Sequence, residues 1–147
     1  MRLVVQRVSK AKVKGVESGK TFGEIGDGLF VLVGFKKGDS EKELDFLVEK
    51  LVKLRVMKDG EKKMNLSVKD VGGGLLVVSQ FTLYADTKDG NRPSFIDAEE
   101  PIKARELYEL LIKKLKDKEV KVETGSFGEY MQIEAILDGP VTILFSD

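Results

Sequence analysis

The chain has 147 residues, of which 25 are lysine or arginine and 25 are aspartate or glutamate, and it contains neither histidine nor cysteine. These counts exclude a Ser-His-Asp triad, a cysteine nucleophile, disulfide bonds and metal sites made of thiolate or imidazole. The balanced charge argues against a general phosphate binder, and the length predicts a single domain covering residues 1–147.

The N-terminal half is predicted to alternate strands with one helix. The start, MRLVVQRVSK, is typical of a first strand and lacks the apolar stretch of a signal peptide. Ser40 and Glu43 form a capping-box pattern before apolar residues at helical spacing. The predicted elements are a long, bulged strand over 2–16, strands over 20–25 and 29–35, and a helix over 40–54.

The C-terminal half is predicted to contain further strands and a second helix that opens at Pro101. The buried stripe of this helix is expected to contain Ala104, Leu107, Tyr108, Leu111 and Leu115. The other predicted elements are strands over 55–58, 75–83, around Val120 and Val122, 131–137 and 141–145, with a loop over 85–97.

A chain made mostly of strands, with two helices inserted among them, is predicted to form an α+β domain. Short turns between neighbouring strands favour antiparallel pairing. We therefore expect a curved antiparallel or mixed β-sheet with two helices packed on it.

The stretch Ser79-Gln80-Phe81-Thr82-Leu83 is the first candidate for chemistry, because polar groups follow directly after an apolar strand. It has two interpretations: a strand that becomes polar where it leaves the core, or hydroxyls and backbone N–H groups that converge on a carbonyl. Backbone donors around a developing oxyanion stabilise it without any titrating residue. A Ser or Thr nucleophile needs a base, and only Lys, Asp or Glu could serve here.

The stretch from Asp138 to Thr142 is the second candidate. It is either a tight connection between two strands or a place where Gly139 lets a ligand approach the backbone closely. If the Gly139–Pro140 bond is cis, its carbonyl oxygens could accept hydrogen bonds from an ammonium group.

Other segments carry weaker signals. The loop Gly90–Phe95 brings one cation and one aromatic ring together, and Gly72-Gly73-Gly74 fails as a phosphate loop because it precedes a strand. Asp86 and Asp89 are interpreted as turn residues, and Lys36 and Lys37 as surface charges. No metal or other cofactor is expected, although a magnesium site made only of carboxylates is compatible with the composition.

Several motifs, in order along nearly the whole chain, resemble those of bacterial D-aminoacyl-tRNA deacylases. They are Val5-Gln6-Arg7-Val8, Gly23-Glu24-Ile25-Gly26, Lys63-Met64-Asn65-Leu66-Ser67, Ser79-Gln80-Phe81-Thr82-Leu83, Arg92-Pro93-Ser94-Phe95 and Gly139-Pro140-Val141-Thr142. The resemblance implies hydrolysis of the ester between a D-amino acid, or glycine, and the 3′-terminal adenosine of tRNA, in the cytoplasm and without a cofactor.

The resemblance also implies a homodimer with active sites at the subunit interface. A cis Gly139–Pro140 peptide of one subunit is expected to reach into the other's site, hold the substrate ammonium and crowd an L side chain. Ser79 and Gln80 are expected to fix the aminoacyl carbonyl, with the N–H groups of Phe81 and Thr82 as oxyanion donors. By the same resemblance, Arg7 supports the Gly-Pro segment, Met131 lines the pocket, and the ring of Phe81 contacts the terminal adenine.

One departure from the family pattern is Leu137, where asparagine is common. Two alternatives to the deacylase hypothesis stay open from the sequence: a non-catalytic module that binds an RNA end or an amino acid derivative, and a Thr- or Lys-dependent amidohydrolase acting on free D-amino acid derivatives.

Overall fold

A computed structural model describes residues 1–146 as eight strands, two α-helices and one short 3₁₀-helix. The first strands are β1 (Arg2–Gly15), β2 (Thr21–Ile25) and β3 (Gly28–Gly34), followed by α1 (Glu41–Lys53). A small hairpin of β4 (Met57–Lys58) and β5 (Met64–Leu66) leads to β6 (Gly74–Ser79) and the 3₁₀ turn (Phe81–Tyr84). The chain ends with α2 (Pro101–Lys116), β7 (Lys121–Thr124) and β8 (Met131–Ser146).

Six strands form one mixed sheet in the order β2-β1-β3-β6-β7, with β8 paired to β1. β1 runs antiparallel to β2, β3 and β8, whereas β3, β6 and β7 are parallel to one another. The two ends of this path, β2 and β7, approach each other, so the sheet is curved and nearly closed. The expected α+β class with a curved, mixed sheet and two helices is confirmed.

The helices cover one face of the sheet and build the main core. Leu44, Val48 and Leu51 of α1 and Leu111 and Leu115 of α2 are at most 1% exposed, which confirms both predicted apolar stripes. A second, smaller cluster lies inside the curve of the sheet and contains Val8, Ala11, Val13, Ile25, Phe30, Leu76 and Val78. Within residues 1–146, neither helix has the length and apolarity needed to cross a bilayer.

Two sequence predictions are wrong in detail. The strand expected over 75–83 ends at Ser79, and residues 81–84 form the 3₁₀ turn. The backbone N–H of Gln80 makes a last hydrogen bond to the Val33 carbonyl at 2.7 Å, and β3 ends one residue later. A Cβ atom on Gly34 would lie only 2.8 Å from the Gln80 carbonyl oxygen, so the close passage of the turn requires glycine there.

The second wrong prediction is that residues 131–137 and 141–145 are separate strands, because the structure has one strand, β8, across both. β8 keeps its pairing with β1 on both sides of the Gly-Pro segment. Between the pairs Gln6–Thr142 and Val8–Leu137, β1 has one residue, Arg7, whereas β8 has four, 138–141. The surplus residues form a bulge in an edge strand, which displaces Gly139 and Pro140 from the regular ladder.

Candidate active site

A cleft of about 660 Å³ opens where β6 ends. We call it the Ser79 cleft. Its walls come from the ends of β3 and β6, the start of α2, the loop before β8, and β8 itself. Its lining includes Phe35, Ser79, Gln80, Phe81, Phe95, Ala98, Glu99, Glu100, Phe127, Glu129, Tyr130 and Met131.

Three of the four residues predicted to act on the carbonyl line this cleft: Ser79, Gln80 and Phe81. Thr82 does not line it, but its hydroxyl accepts a hydrogen bond from the Gln80 amide Nε2 at 2.6 Å. Since an amide cannot take up a proton near neutral pH, this contact does not activate Thr82 as a nucleophile.

The backbone of the same segment provides donors. The first N–H groups of a helical turn have no partner within the turn. In the 3₁₀ turn the N–H of Leu83 donates to Gln80 and that of Ala85 to Thr82, while those of Phe81 and Thr82 donate to no backbone oxygen of residues 1–146. Two neighbouring main-chain donors are therefore available at the edge of the cleft.

Aromatic and thioether groups form the apolar part of the cleft. The rings of Phe81 and Phe95 meet edge to face, with centroids 5.1 Å apart, and Phe81 is 55% exposed. Met131 is held by the backbone N–H of Ser126, which lies 3.2 Å from its sulfur. Stacked or edge-on rings of this kind suit a planar base.

The charged groups of the Ser79 cleft are all carboxylates: among the described residues that line it, Glu99, Glu100 and Glu129 carry charge and no lysine or arginine does. The Lys103 ammonium, 2.8 Å from Glu99, holds the pKa of that carboxyl below its ordinary value. Glu99 is thus ionised at neutral pH and a poor general acid. Glu129 accepts a hydrogen bond from the Ser126 hydroxyl at 2.7 Å.

Gly139 and Pro140 do not line the Ser79 cleft of their own chain. Their peptide bond is cis, as the resemblance implied, and both residues are exposed. Arg7, which is 4% exposed, donates from Nε to the Asp138 carbonyl at 3.1 Å and from Nη1 to the Val56 carbonyl at 2.7 Å. Arg7 therefore binds the residue that precedes Gly139, and its support of the Gly-Pro segment stays a prediction.

Sequence reasoning missed a second cation at this segment. Lys58 of β4 lies with its Nζ 2.8 Å from Oδ1 of Asp138, while Nε of Arg7 lies 3.1 Å from Oδ2. The Lys58 hydrogen bond is the main cause of the lowered pKa of Asp138, opposed by desolvation and assisted by the charge of Arg7. No local pattern around Lys58 pointed to this pairing, because 80 residues separate the partners.

The loop between β7 and β8 was also missed. It places Phe127, Glu129 and Tyr130 on the cleft, and Arg105 of α2 steadies it with its guanidinium 5.1 Å from the Phe127 ring centre. The glycines at 125 and 128 flanking Phe127 were its only sequence signal. Within residues 1–146, no group of three or more acidic residues is arranged to hold a metal ion.

The chain is similar to known proteins over nearly its whole length. Residues 4–146 match the family of D-Tyr-tRNA(Tyr) deacylase. The D-aminoacyl-tRNA deacylase of Carboxydothermus hydrogenoformans is 52% identical over 98% of both chains. That of Clostridioides difficile is 51% identical over 98% of this chain and 95% of its own length.

Solved structures show the same fold. The c-Myc DNA unwinding element binding protein superposes with a TM-score of 0.92 and 38% identity, covering 100% of this chain and 99% of its own. A probable eukaryotic D-amino acid tRNA deacylase superposes with a TM-score of 0.83 and 18% identity, covering 98% of this chain and 97% of its own, and supports the fold alone.

Proposed function

Because the chain belongs to the D-Tyr-tRNA(Tyr) deacylase family and is a hydrolase of the D-aminoacyl-tRNA ester bond, we propose that main-chain groups, and not a titrating side chain, carry out its chemistry. The observation that carries this proposal is the pair of N–H groups of Phe81 and Thr82 at the edge of the Ser79 cleft, which donate to no backbone oxygen of residues 1–146. Neighbouring donors of this kind suit a carbonyl oxygen that gains charge during attack.

The reaction needs water to attack the ester carbonyl carbon, negative charge to gather on the carbonyl oxygen, and the bond to the ribose 3′-oxygen to break. In the proposed mechanism the N–H groups of Phe81 and Thr82 bind the oxyanion, and Ser79 and Gln80 orient the carbonyl. The neighbouring 2′-hydroxyl of the substrate positions the water. It accepts a proton from the water and donates its own proton to the leaving 3′-oxygen. An already reactive ester that is held in place needs little more than this.

The side chains in and beside the Ser79 cleft provide no activated nucleophile, which supports assistance by the substrate. The sequence has no histidine or cysteine, Glu99 is held ionised by Lys103, and the Thr82 hydroxyl is bonded to an amide. None of these arrangements produces an activated nucleophile. We therefore place the proton transfer on the substrate, and the aromatic pair Phe81–Phe95 against its terminal adenine.

Chiral selection is proposed to come from a second copy of the chain. The Gly139–Pro140 segment of one subunit reaches the Ser79 cleft of its partner, where its carbonyls accept hydrogen bonds from the substrate ammonium and its backbone crowds an L side chain. Met131 lines the same pocket. Because the crowding comes from backbone, the direction taken by a D side chain stays open, and broad tolerance of D-amino acids and of glycine follows.

The free edge of β8 supports this arrangement in a homodimer. β8 pairs only with β1 among the described strands, and it exposes Ile136, Leu137 and Leu144 at 60%, 44% and 71%. Exposed apolar residues on a long edge strand mark a surface that another chain covers. Leu137, where the family often has asparagine, adds to this apolar surface. Since the substrate is aminoacyl-tRNA, we place the enzyme in the cytoplasm.

The backbone mechanism is tested by Phe81→Pro against Phe81→Ala. Proline removes the N–H of residue 81 and fits the first position of a helical turn. A following proline disfavours the α region, and Gln80 lies outside that region, at φ −145° and ψ 87°. Loss of one oxyanion donor lowers kcat by about 10²–10³-fold. Phe81→Ala removes the ring but keeps the N–H donor. In steady-state hydrolysis of D-Tyr-tRNA we therefore expect a higher KM with kcat largely retained.

Thr82→Ala completes the set, and it is expected to retain most of the activity because the hydroxyl is not the nucleophile. A D-Tyr-tRNA ending in 2′-deoxyadenosine is expected to be hydrolysed far more slowly. Near-complete loss of turnover in Thr82→Ala, together with an acyl adduct trapped on Thr82 of the wild type, contradicts the proposal.

A further inference from the structure

A second cleft, of about 270 Å³, adjoins the Ser79 cleft and carries the opposite charge. It is lined by Arg2, Lys36, Lys37, Tyr84 and Asp97, and we call it the Arg2 cleft. Among the described residues that line it, three are cations and one is a carboxylate, in a chain whose net charge is zero. Local excess of this kind attracts anions although the whole protein does not.

The two clefts share their walls. Phe35 lines the Ser79 cleft and its neighbour Lys36 lines the Arg2 cleft; Ala98 and Asp97 are divided in the same way. The 3₁₀ turn begins at Phe81 in the first cleft and ends at Tyr84 in the second. At a rise of about 2 Å per residue, these ends are roughly 6 Å apart along the turn, so one short stretch of nucleic acid can occupy both.

Hydrogen bonds within the protein hold Arg2 and the backbone of Lys37 in place. Arg2 donates from Nη1 to the Leu83 carbonyl at 2.8 Å, and its guanidinium lies 4.6 Å from the Tyr84 ring centre. An arginine has five N–H donors, so this contact leaves donors for an anion. The backbone N–H of Lys37 is bonded to the Asp97 carbonyl at 3.0 Å.

The turn that carries the two lysines is anchored from inside the protein. The buried carboxylate of Asp39 accepts a hydrogen bond from the backbone N–H of Lys36 at 2.8 Å. The same carboxylate lies 3.1 Å from the Met1 ammonium. Lys36 and Lys37 therefore start from a rigid position beside the site, which lowers the entropic cost of holding an anion.

We propose that the Arg2 cleft binds the phosphodiester that joins the terminal adenosine to the preceding nucleotide of the tRNA. The inference rests on the proposed function, which puts the adenosine in the Ser79 cleft. The next group of the substrate after the adenosine is a phosphate. The carboxylates Glu99, Glu100 and Glu129 make the Ser79 cleft unfavourable for it. The cationic Arg2 cleft, which lies across the shared wall, takes it.

The test uses two substrates that differ in phosphate content, D-Tyr-tRNA and 3′-O-D-Tyr-adenosine. Lys37 is replaced by Met and by Glu, because no hydrogen bond or ion pair holds its side chain among residues 1–146. Lys50 of α1, which lines neither cleft, receives the same two changes as a control. At 0.1 M salt, loss of one phosphate contact with a salt slope of about 0.7 lowers affinity roughly fivefold.

We expect Lys37→Met to raise the KM for D-Tyr-tRNA about fivefold, and Lys37→Glu to raise it further, with kcat/KM for D-Tyr-adenosine unchanged. The slope of log kcat/KM against log salt on tRNA becomes less steep by about 0.7 in Lys37→Met. Both Lys50 variants behave like the wild type. Inorganic phosphate at the same ionic strength is expected to compete only weakly with tRNA, since a free ion lacks the tethered adenosine.

Equal losses on both substrates, or no loss on either, overturn the proposal. Inhibition by millimolar inorganic phosphate that disappears in Lys37→Glu, without an effect of the variant on tRNA, assigns the cleft to free phosphate instead. These results are separable from failure of the backbone mechanism, which shows as an unimpaired Phe81→Pro on D-Tyr-adenosine, where the Arg2 cleft plays no part.

Discussion

Replacement of Arg7 by lysine tests how the Gly-Pro segment is held. Arg7 is buried and joins two carbonyls from distant parts of the chain, those of Val56 and Asp138, with an ion pair to the Asp138 carboxylate. Lysine keeps the charge, but its single ammonium cannot reproduce the planar fork that reaches both. At least one charge-assisted hydrogen bond is lost, which costs about 1.5–3 kcal/mol of the free energy of unfolding.

Urea denaturation at fixed protein concentration measures this loss, because the stability of the proposed dimer depends on concentration. With a slope near 2 kcal/mol per M, the midpoint is expected to fall by about 1 M. Activity on D-Tyr-tRNA and discrimination against L-Tyr-tRNA are expected to fall as well, because the Gly139–Pro140 segment loses its internal attachment.

Arg55→Lys is the matched control. Arg55 likewise makes two hydrogen bonds, but both go to Asn65 and the site is exposed. Its Nε lies 2.6 Å from the Asn65 carbonyl and its Nη2 lies 3.5 Å from the Asn65 side-chain oxygen. We expect a loss below about 1 kcal/mol there, because water replaces exposed hydrogen bonds. If Arg7→Lys is no more destabilised than Arg55→Lys and keeps full chiral discrimination, the supporting role of Arg7 is wrong.

Two further predictions concern the same segment. In the proposed homodimer, Phe81→Pro and Gly139→Ala, each inactive alone, should regain about a quarter of wild-type activity when equal amounts are unfolded and refolded together, because half of the dimers are mixed and each mixed dimer has one intact site. No recovery means that the Gly139–Pro140 segment does not act across a dimer. The lowered pKa of Asp138, whose ordinary value is 3.8, means that its stabilising contribution is complete above that value and is lost as the pH falls further through the lowered pKa. The stability gap between wild type and Asp138→Asn, measured by urea midpoints, should therefore be constant from pH 7 to about 5 and close at lower pH; a gap that is equally wide at pH 2 refutes the pairing with Lys58 and Arg7.

Periodicity was enough to predict the helices and the buried strands, because apolar spacing within one element directly reflects the face that is buried. It failed where pairing with a distant strand decides the structure. The apolar and polar residues of 75–83 look like one strand, but the partner β3 stops at Gly34, so the chain turns at Gln80. Asp138-Gly139-Pro140 looks like a turn between strands, but continuous pairing with β1 makes it a bulge in β8.

The site follows the same rule. The Ser79–Thr82 segment could be singled out from its residues, since two hydroxyls and an amide follow directly after an apolar strand. The Arg7–Asp138 and Lys58–Asp138 contacts join residues 131 and 80 positions apart, and no local pattern encodes such pairs. Lys36 and Lys37 are interpreted as surface charges from the sequence. Their proposed role in phosphate binding depends on the fold, which places them beside Arg2 and next to the Ser79 cleft.

The zero net charge of the chain hides a separation of charge that suits its substrate. An aminoacyl-tRNA end carries an ammonium on the amino acid and phosphates on the RNA, with an uncharged adenosine between them. The Ser79 cleft is lined by carboxylates and aromatic rings, and the Arg2 cleft beside it by cations. A protein that bound RNA through overall positive charge would also attract the phosphates of uncharged tRNA and of every other RNA. In the proposed arrangement one small cleft contacts the phosphate, so binding depends on the aminoacyl end as much as on the phosphate, and that dependence is what a deacylase needs in order to act on the ester alone.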